Sequence, residues 1–206
     1  FAAALRIAHF GTSNDHSDWE SAHHTFTYAN AACRLITRAT GGGADVETEA
    51  LCLRAALHGA LAVYLNRYLN VPPARLPLGE QPALAPVELR RAFLDACDRQ
   101  QQVAEAARLA ASHLAAGRPP SDFIAVLGHA VLREDAGFHM IQNLQAAVQQ
   151  SLVWQGDPEV AAILIAAARY LAAHSPTSRA RHQTAQVAAR LMRGGEVHED
   201  ASEVAI

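Results

Sequence analysis

The chain has little sulfur chemistry to offer. Its cysteines are three in number, Cys33, Cys52 and Cys97, far apart and set inside apolar helical patterns. An odd count without a Cys-x-x-Cys spacing excludes a disulfide framework, a zinc ribbon and a thioredoxin-type pair, and suits reduced, cytoplasmic-type surroundings. Charge is also scarce: 18% of the 206 residues are charged, and the net −3 is spread along the chain without basic blocks. Nothing in that pattern would draw in a nucleic acid or an anionic membrane surface, so neither is expected as a partner. Long apolar runs are missing too, because His58, Gly59 and Arg169 interrupt the candidates at 55–65 and 160–168 before they could span a bilayer. There is no Gly-x-Gly-x-x-Gly, no phosphate loop, no Gly-x-Ser-x-Gly elbow and no His-Glu-x-x-His, which removes nucleotide-cofactor, hydrolase-triad and zinc-protease readings. No short helix pair carries a basic recognition face, so a helix-turn-helix is excluded as well. Sustained period-two alternation is absent, and with it the signal of a half-buried strand.

What remains is half apolar and rich in alanine, the composition of a packed helical globule. The pattern predicts an all-α bundle of six or seven helices in one domain, 1–195, followed by a poorly ordered acidic tail, 196–206. A short first segment closes at Gly11. Helices are expected at about 18–38, ended by Gly41-Gly42-Gly43, and at 46–69, ended by Val71-Pro72-Pro73. A proline-rich loop, 72–86, should wrap outside before helices at 87–116, 121–154, 158–174 and 177–193. The helix at 121–154 has apolar residues on nearly every side, so it is expected to be the buried centre. Leu152, Val153 and Trp154, with the alanine-rich helix after them, form a candidate patch for a symmetric dimer. The start at Phe1, without methionine, basic segment or cleavage site, reads as that of a fragment of a longer protein.

The chemistry-bearing residues fall mostly inside helices. Glu20 lies within reach of His23 at i+3 and His24 at i+4, and Glu-x-x-His is a ligand pair of helical di-iron and di-manganese bundles. Those bundles use two copies, whereas here there is one, and adjacent histidines point about 100° apart on a helix, so one of the two is expected to be structural. On the 121–154 helix, Asp135 and His139 should share a face, while Glu134 lies on the row of Val131 and Phe138. At least one acid should point inward, where it needs a cation, a histidine or a metal. His58 sits on a row with Ala55, Ala62 and Leu65 that reads as core, as do the surroundings of His113 and His129. Eleven histidines make a large ligand reservoir. Glu20, His23, His24, His58, Glu134, Asp135 and His139 are therefore the candidate ligands for a divalent transition metal, non-haem iron among them, with haem on His58 as a lesser alternative.

Three blocks, His24-Thr-Phe-Thr-Tyr-Ala-Asn30, Tyr64-Leu-Asn-Arg-Tyr-Leu-Asn-Val-Pro-Pro73 and Leu132-Arg-Glu-Asp-Ala-Gly-Phe-His139, carry a resemblance. Together the chain resembles the helical region that follows an N-terminal Rieske [2Fe-2S] domain in a group of bacterial proteins. The Cys-x-His and Cys-x-x-His ligands of such a cluster are not in this sequence. What the resemblance implies is a Rieske-type electron donor outside this chain, and a helical oxygenase or oxidase component that receives its electrons. The alternative is a non-catalytic binding or assembly module whose buried histidines and acids simply pair with one another.

Overall fold

The computed structural model describes residues 1–11, 16–69 and 72–195, so the acidic tail at 196–206 lies outside the described residues. Every regular element among them is helical: α1 (Ala2–Ala8), α2 (His16–Thr40), α3 (Val46–Leu65) with a 3-10 turn at Asn66–Tyr68, α4 (Pro86–Asp98), α5 (Val103–Ala115), α6 (Pro120–Arg133), α7 (Phe138–Val153), α8 (Val160–Ala173) and α9 (Ala180–Met192). No described helix is long and apolar enough to cross a membrane.

The boundaries follow local chemistry. Asp45 caps α3 by accepting from the Thr48 N–H at 2.8 Å. Pro86 and Pro120 open α4 and α6, where a missing N–H costs nothing. Gly117 ends the α5 segment with φ +69°. In the outer loop, Gly79 (φ +69°) lies so close to α5 that a Cβ there would stand 2.6 Å from Ala115 Cβ and 2.8 Å from the Ala111 carbonyl oxygen. Only glycine permits that approach. The loop stays on the surface, pinned inward by Leu76 and Leu84.

Two long helices expected from the sequence are each broken in two, which raises the helix count above six or seven. The 87–116 stretch is interrupted at 99–102, where five successive polar residues, 98–102, leave no apolar face, and Gln101 adopts φ +63°. The 121–154 stretch is interrupted at 134–137. Glu134 leaves α6 extended (φ −83°, ψ 161°), and Gly137 enters α7 extended (φ −75°, ψ 176°). Backbone and side chains of that break are committed to the chain before α9 instead, beginning with the Asp135 N–H, which donates to Thr177 Oγ1 at 2.8 Å.

The centre of the bundle is α8, which corrects the expectation for 121–154. All of its residues from 162 to 172 are buried, and it packs on α1, α4, α5, α6 and α7. Alanines at 106, 107 and 110 of α5 and at 166–168 of α8 let those helices approach closely. Arg169 is the single charge in the run and donates to the Phe10 carbonyl that closes α1. Burial lowers its pKa to about 10, leaving it charged at neutral pH. Because α8 is spent on the interior, it offers no surface to a dimer; Leu152 and Val153 remain exposed, while Trp154 packs on Phe1.

Candidate functional site

Three helices, α2, α7 and α8, bring histidines and one acid together. α2 supplies Glu20, His23 and His24 from two successive turns, anchored by the buried Trp19 and Phe26 on either side. It packs on α7 in parallel register: His23 meets Asn143, with Nδ1 and Nδ2 3.3 Å apart, and seven residues on Asn30 accepts from Gln150 at 2.9 Å and donates to Gln149 at 2.8 Å. That amide ladder fixes the rotation of α2 that turns Glu20 and His23 inward. His139, in the first turn of α7, and His174, at the end of α8, close the cluster.

Glu20 is its anionic centre. One carboxylate oxygen accepts from the Tyr170 hydroxyl at 2.8 Å and stands 3.3 Å from His174 Nε2. The other lies 2.5 Å from His139 Nδ1. Burial alone would push the Glu20 carboxyl up, but the Tyr170 hydrogen bond and the imidazoles of His139, His174 and His23 outweigh it and hold the group below the usual carboxylate range. Tyr170 is shifted the other way, by burial first and then by Glu20, and stays a donor.

His23 has no exposed surface. It stacks on Tyr170 with ring centroids 4.8 Å apart, and its Nε2 has no hydrogen-bond partner. Burial, aided by His24, His139 and His174 and opposed by Glu20, depresses its pKa to about 4. The ring is therefore neutral at pH 7 and keeps a lone pair. Ring centroids of His24 and His139 are 4.8 Å apart, and each lies close to His23, at 5.2 and 5.1 Å. One nitrogen from each of the three imidazoles lies within 4.8 Å of the others, the single such group of potential ligands among the described residues. Contrary to the expectation from helix geometry, the adjacent His23 and His24 do converge, because His139 sits over the gap between them.

Of the seven sequence candidates, four meet here: Glu20, His23, His24 and His139. Glu134 and Asp135 belong elsewhere, because the break at 134–137 ends the helical register that would have aligned Asp135 with His139. Glu134 is 4% exposed and accepts from the Thr177 N–H and hydroxyl at 2.8 and 2.7 Å and from Arg179 Nε at 2.9 Å. Arg179 and Arg133 also pair with Asp98. Burial pushes the Glu134 carboxyl up, yet the bonds from Arg179 and Thr177 bring it below its ordinary value. Asp135 caps α9, taking the Ala180 and Arg181 N–H groups at 2.7 and 2.9 Å and the Ser178 hydroxyl at 2.7 Å. Hydrogen bonds from Ser178 and Arg181 hold it low.

His58 is exposed on α3, a helix with no buried residue. The apolar cavity of about 520 Å³ beneath that helix is lined by Ala55, Gly59 and Val63 but not by His58, so the haem alternative has no support there. His129 is exposed as well, whereas His113 is buried against the Pro119 carbonyl at 3.0 Å. Sequence reasoning missed Tyr170, His174 and Asn143. Tyr170 and His174 are one turn apart on α8, and the signal was that i,i+4 spacing. The cysteines do not fit a Rieske cluster: Cys97 is buried, Cys33 and Cys52 lie on separate helices, and none joins the histidine group.

The chain matches no family model, no curated protein and no solved structure.

Proposed function

We propose that His23, His24 and His139 bind one divalent transition metal, with Glu20 behind His139 as the carboxylate that orients it. The observation that carries the reading is the convergence of three imidazole nitrogens within 4.8 Å, one of them buried and unpartnered. Neutral imidazoles suit iron, manganese or zinc. A metal about 2.1 Å from each nitrogen would need nitrogens roughly 3–3.5 Å apart, so the three rings would have to draw together to hold it. Glu20 on His139 Nδ1 leaves Nε2 for the metal, the usual division between an outer carboxylate and a ligating histidine. Asn143 Nδ2 faces His23 Nδ1 at 3.3 Å; with that amide turned so that its oxygen accepts from Nδ1–H, Nε2 of the ring would be left for the metal in the same way. His24 is exposed and the His139 side chain is 41% exposed, so solvent or a small substrate reaches the open coordination positions. That openness favours a catalytic over a structural metal. The narrower reading, a non-haem iron oxygenase or oxidase component fed by a Rieske-type donor, draws on the sequence resemblance, and a dimer through Leu152 and Val153 stays a proposal beside it.

The test is metal analysis of the purified chain after loading with iron(II), manganese(II) or zinc(II). Wild type should hold one ion per chain, and His139→Ala should lose it while its circular dichroism stays helical. A chain that takes up no metal, or a His139→Ala variant that keeps it, would favour the assembly module. That second reading draws on one observation: Glu20 accepts from Tyr170 and lies within ion-pair distance of His139 and His174, the arrangement of a structural pair network.

A further inference from the structure

A groove of about 490 Å³ runs between α2 and α7, and its near end, at Thr27 and Gln142, is one helical turn from His23, His24 and His139. Asn30 and Gln149, hydrogen-bonded to each other, line it further along. Arg34 and Arg38 close its far end. Both arginines are exposed, they are one turn apart on the same face of α2, and neither has a carboxylate within 4.0 Å among the described residues. No acidic residue lines the groove at all. Some other arginines do have an acid beside them: Arg108 has Glu105, Arg133 has Asp98, and Arg179 has Glu134. From His24 to Arg34 the helix rises about 15 Å, so a ligand reaching both ends is elongated. The groove thus has a row of amides along its length and two unpaired guanidiniums at one end, with the imidazole cluster one helical turn beyond the other.

We propose that this groove binds an elongated organic anion, its carboxylate held by Arg34 and Arg38 and its other end delivered to the histidine cluster. Guanidinium forks match a carboxylate with two parallel hydrogen bonds, and a pair one turn apart can hold both oxygens. The side-chain amides of Asn30, Gln142 and Gln149 donate and accept, so they suit a polar body as well as an aliphatic one. What happens at the near end rests on the metal reading; the grip at the far end does not.

Decanedioate, a dicarboxylate long enough to reach along the groove, is titrated calorimetrically into the full chain, metal-free and zinc-loaded, against the uncharged diol of the same chain length. Decanedioate should bind the metal-free protein and the diol should not. Arg34→Gln with Arg38→Gln should weaken decanedioate by roughly ten- to a hundredfold, the loss of charge-assisted hydrogen bonds, with helicity unchanged. Arg90→Gln, an equally exposed arginine on α4, should have no effect. Zinc should tighten decanedioate binding to the wild type and not to His139→Ala. No binding of decanedioate, equal binding of the diol, or equal losses from Arg90→Gln and the double variant would overturn the proposal. Zinc uptake without anion binding removes the groove and leaves the metal site. Arginine-dependent binding without zinc uptake does the reverse.

Discussion

Two acids in this chain are withdrawn from solvent, Glu134 fully and Glu20 in part, both held below the ordinary carboxylate range, and they are partnered in different ways. Glu134 is surrounded by groups that are charged or donating at every physiological pH: Arg179, Arg133 and the backbone and hydroxyl of Thr177. Glu20 is surrounded by His139, His174 and Tyr170. A carboxylate locked by guanidiniums and main-chain donors has no vacancy for chemistry, and its effect is to tie the ends of α4, α6 and α9 together. A carboxylate partnered by imidazoles can trade a proton or orient a ligand, since an imidazole has a second nitrogen to offer. Both acids were equal candidates in the sequence; the identity of their partners separates structure from site.

Glu134→Ala should produce the largest effect on stability. It leaves Arg179 and Arg133 beside a cavity with Asp98 as their remaining acid, and removing one member of a buried ion pair costs about 3–5 kcal/mol. Urea denaturation should show that loss, while metal content stays at the wild-type level. If Glu134→Ala lost its metal with the fold intact, the distinction between the two acids would collapse.

The two regions should also separate along pH in the metal-free protein. His23 has a folded pKa near 4 against 6.5 unfolded, so the unfolded state takes the proton first. Stability is then full above about 6.5 and falls as pH drops toward 4, by about 3 kcal/mol at 1.36 kcal/mol per unit. Glu134, with its pKa depressed, contributes fully above its ordinary value of 4.5 and is lost only as pH falls through its lower folded value. Denaturation midpoints across pH 7 to 3 should therefore fall in two stages. His23→Asn should abolish the upper stage and leave the lower; a single stage in the wild type would break the comparison.

Glu20→Gln asks less of the fold. Gln keeps the shape and can still accept from Tyr170, so the cost should be about 1–2 kcal/mol. Metal affinity should fall tenfold to a hundredfold, the usual consequence of removing an outer-sphere carboxylate. Competition with a chromogenic chelator reads that change, and an unaltered affinity would strip Glu20 of its orienting role.

Much of this arrangement was legible in the sequence, and the failures have a common cause. Capping residues, glycines and prolines marked most helix ends, and Glu20, His23, His24 and His139 were singled out from residue type and helical spacing. Spacing arguments hold only within one helix, however, and 134–137 is a break: the same Arg-Glu-Asp-Ala-Gly that read as a polar site inside a helix is the place where the helix stops. Five consecutive polar residues at 98–102 carried the corresponding signal for the other break. Periodicity also states that a helix is apolar without saying what covers it. α8 and α3 read alike, yet α8 is enclosed on all sides while Leu53, Leu57 and Leu61 of α3 are exposed. That is why His58 was expected in the core and Tyr170 with His174 was not expected in the site.

His58→Ala should therefore be the quietest change, and it sets the floor for the others. The ring is exposed on a helix without a buried residue, and no ion pair or hydrogen bond holds it among the described residues. Surface substitutions of this kind fall within about 0.5 kcal/mol of wild type, and alanine is the better helix former. Metal content should be unchanged, since α3 supplies none of the converging nitrogens. Parallel measurement of Glu134→Ala, Glu20→Gln and His58→Ala then gives three distinct signatures: stability lost with metal kept, metal affinity weakened with modest loss of stability, and neither. If His58→Ala instead released the metal, α3 would have to belong to the site, and the assignment of the centre to α2, α7 and α8 would be wrong.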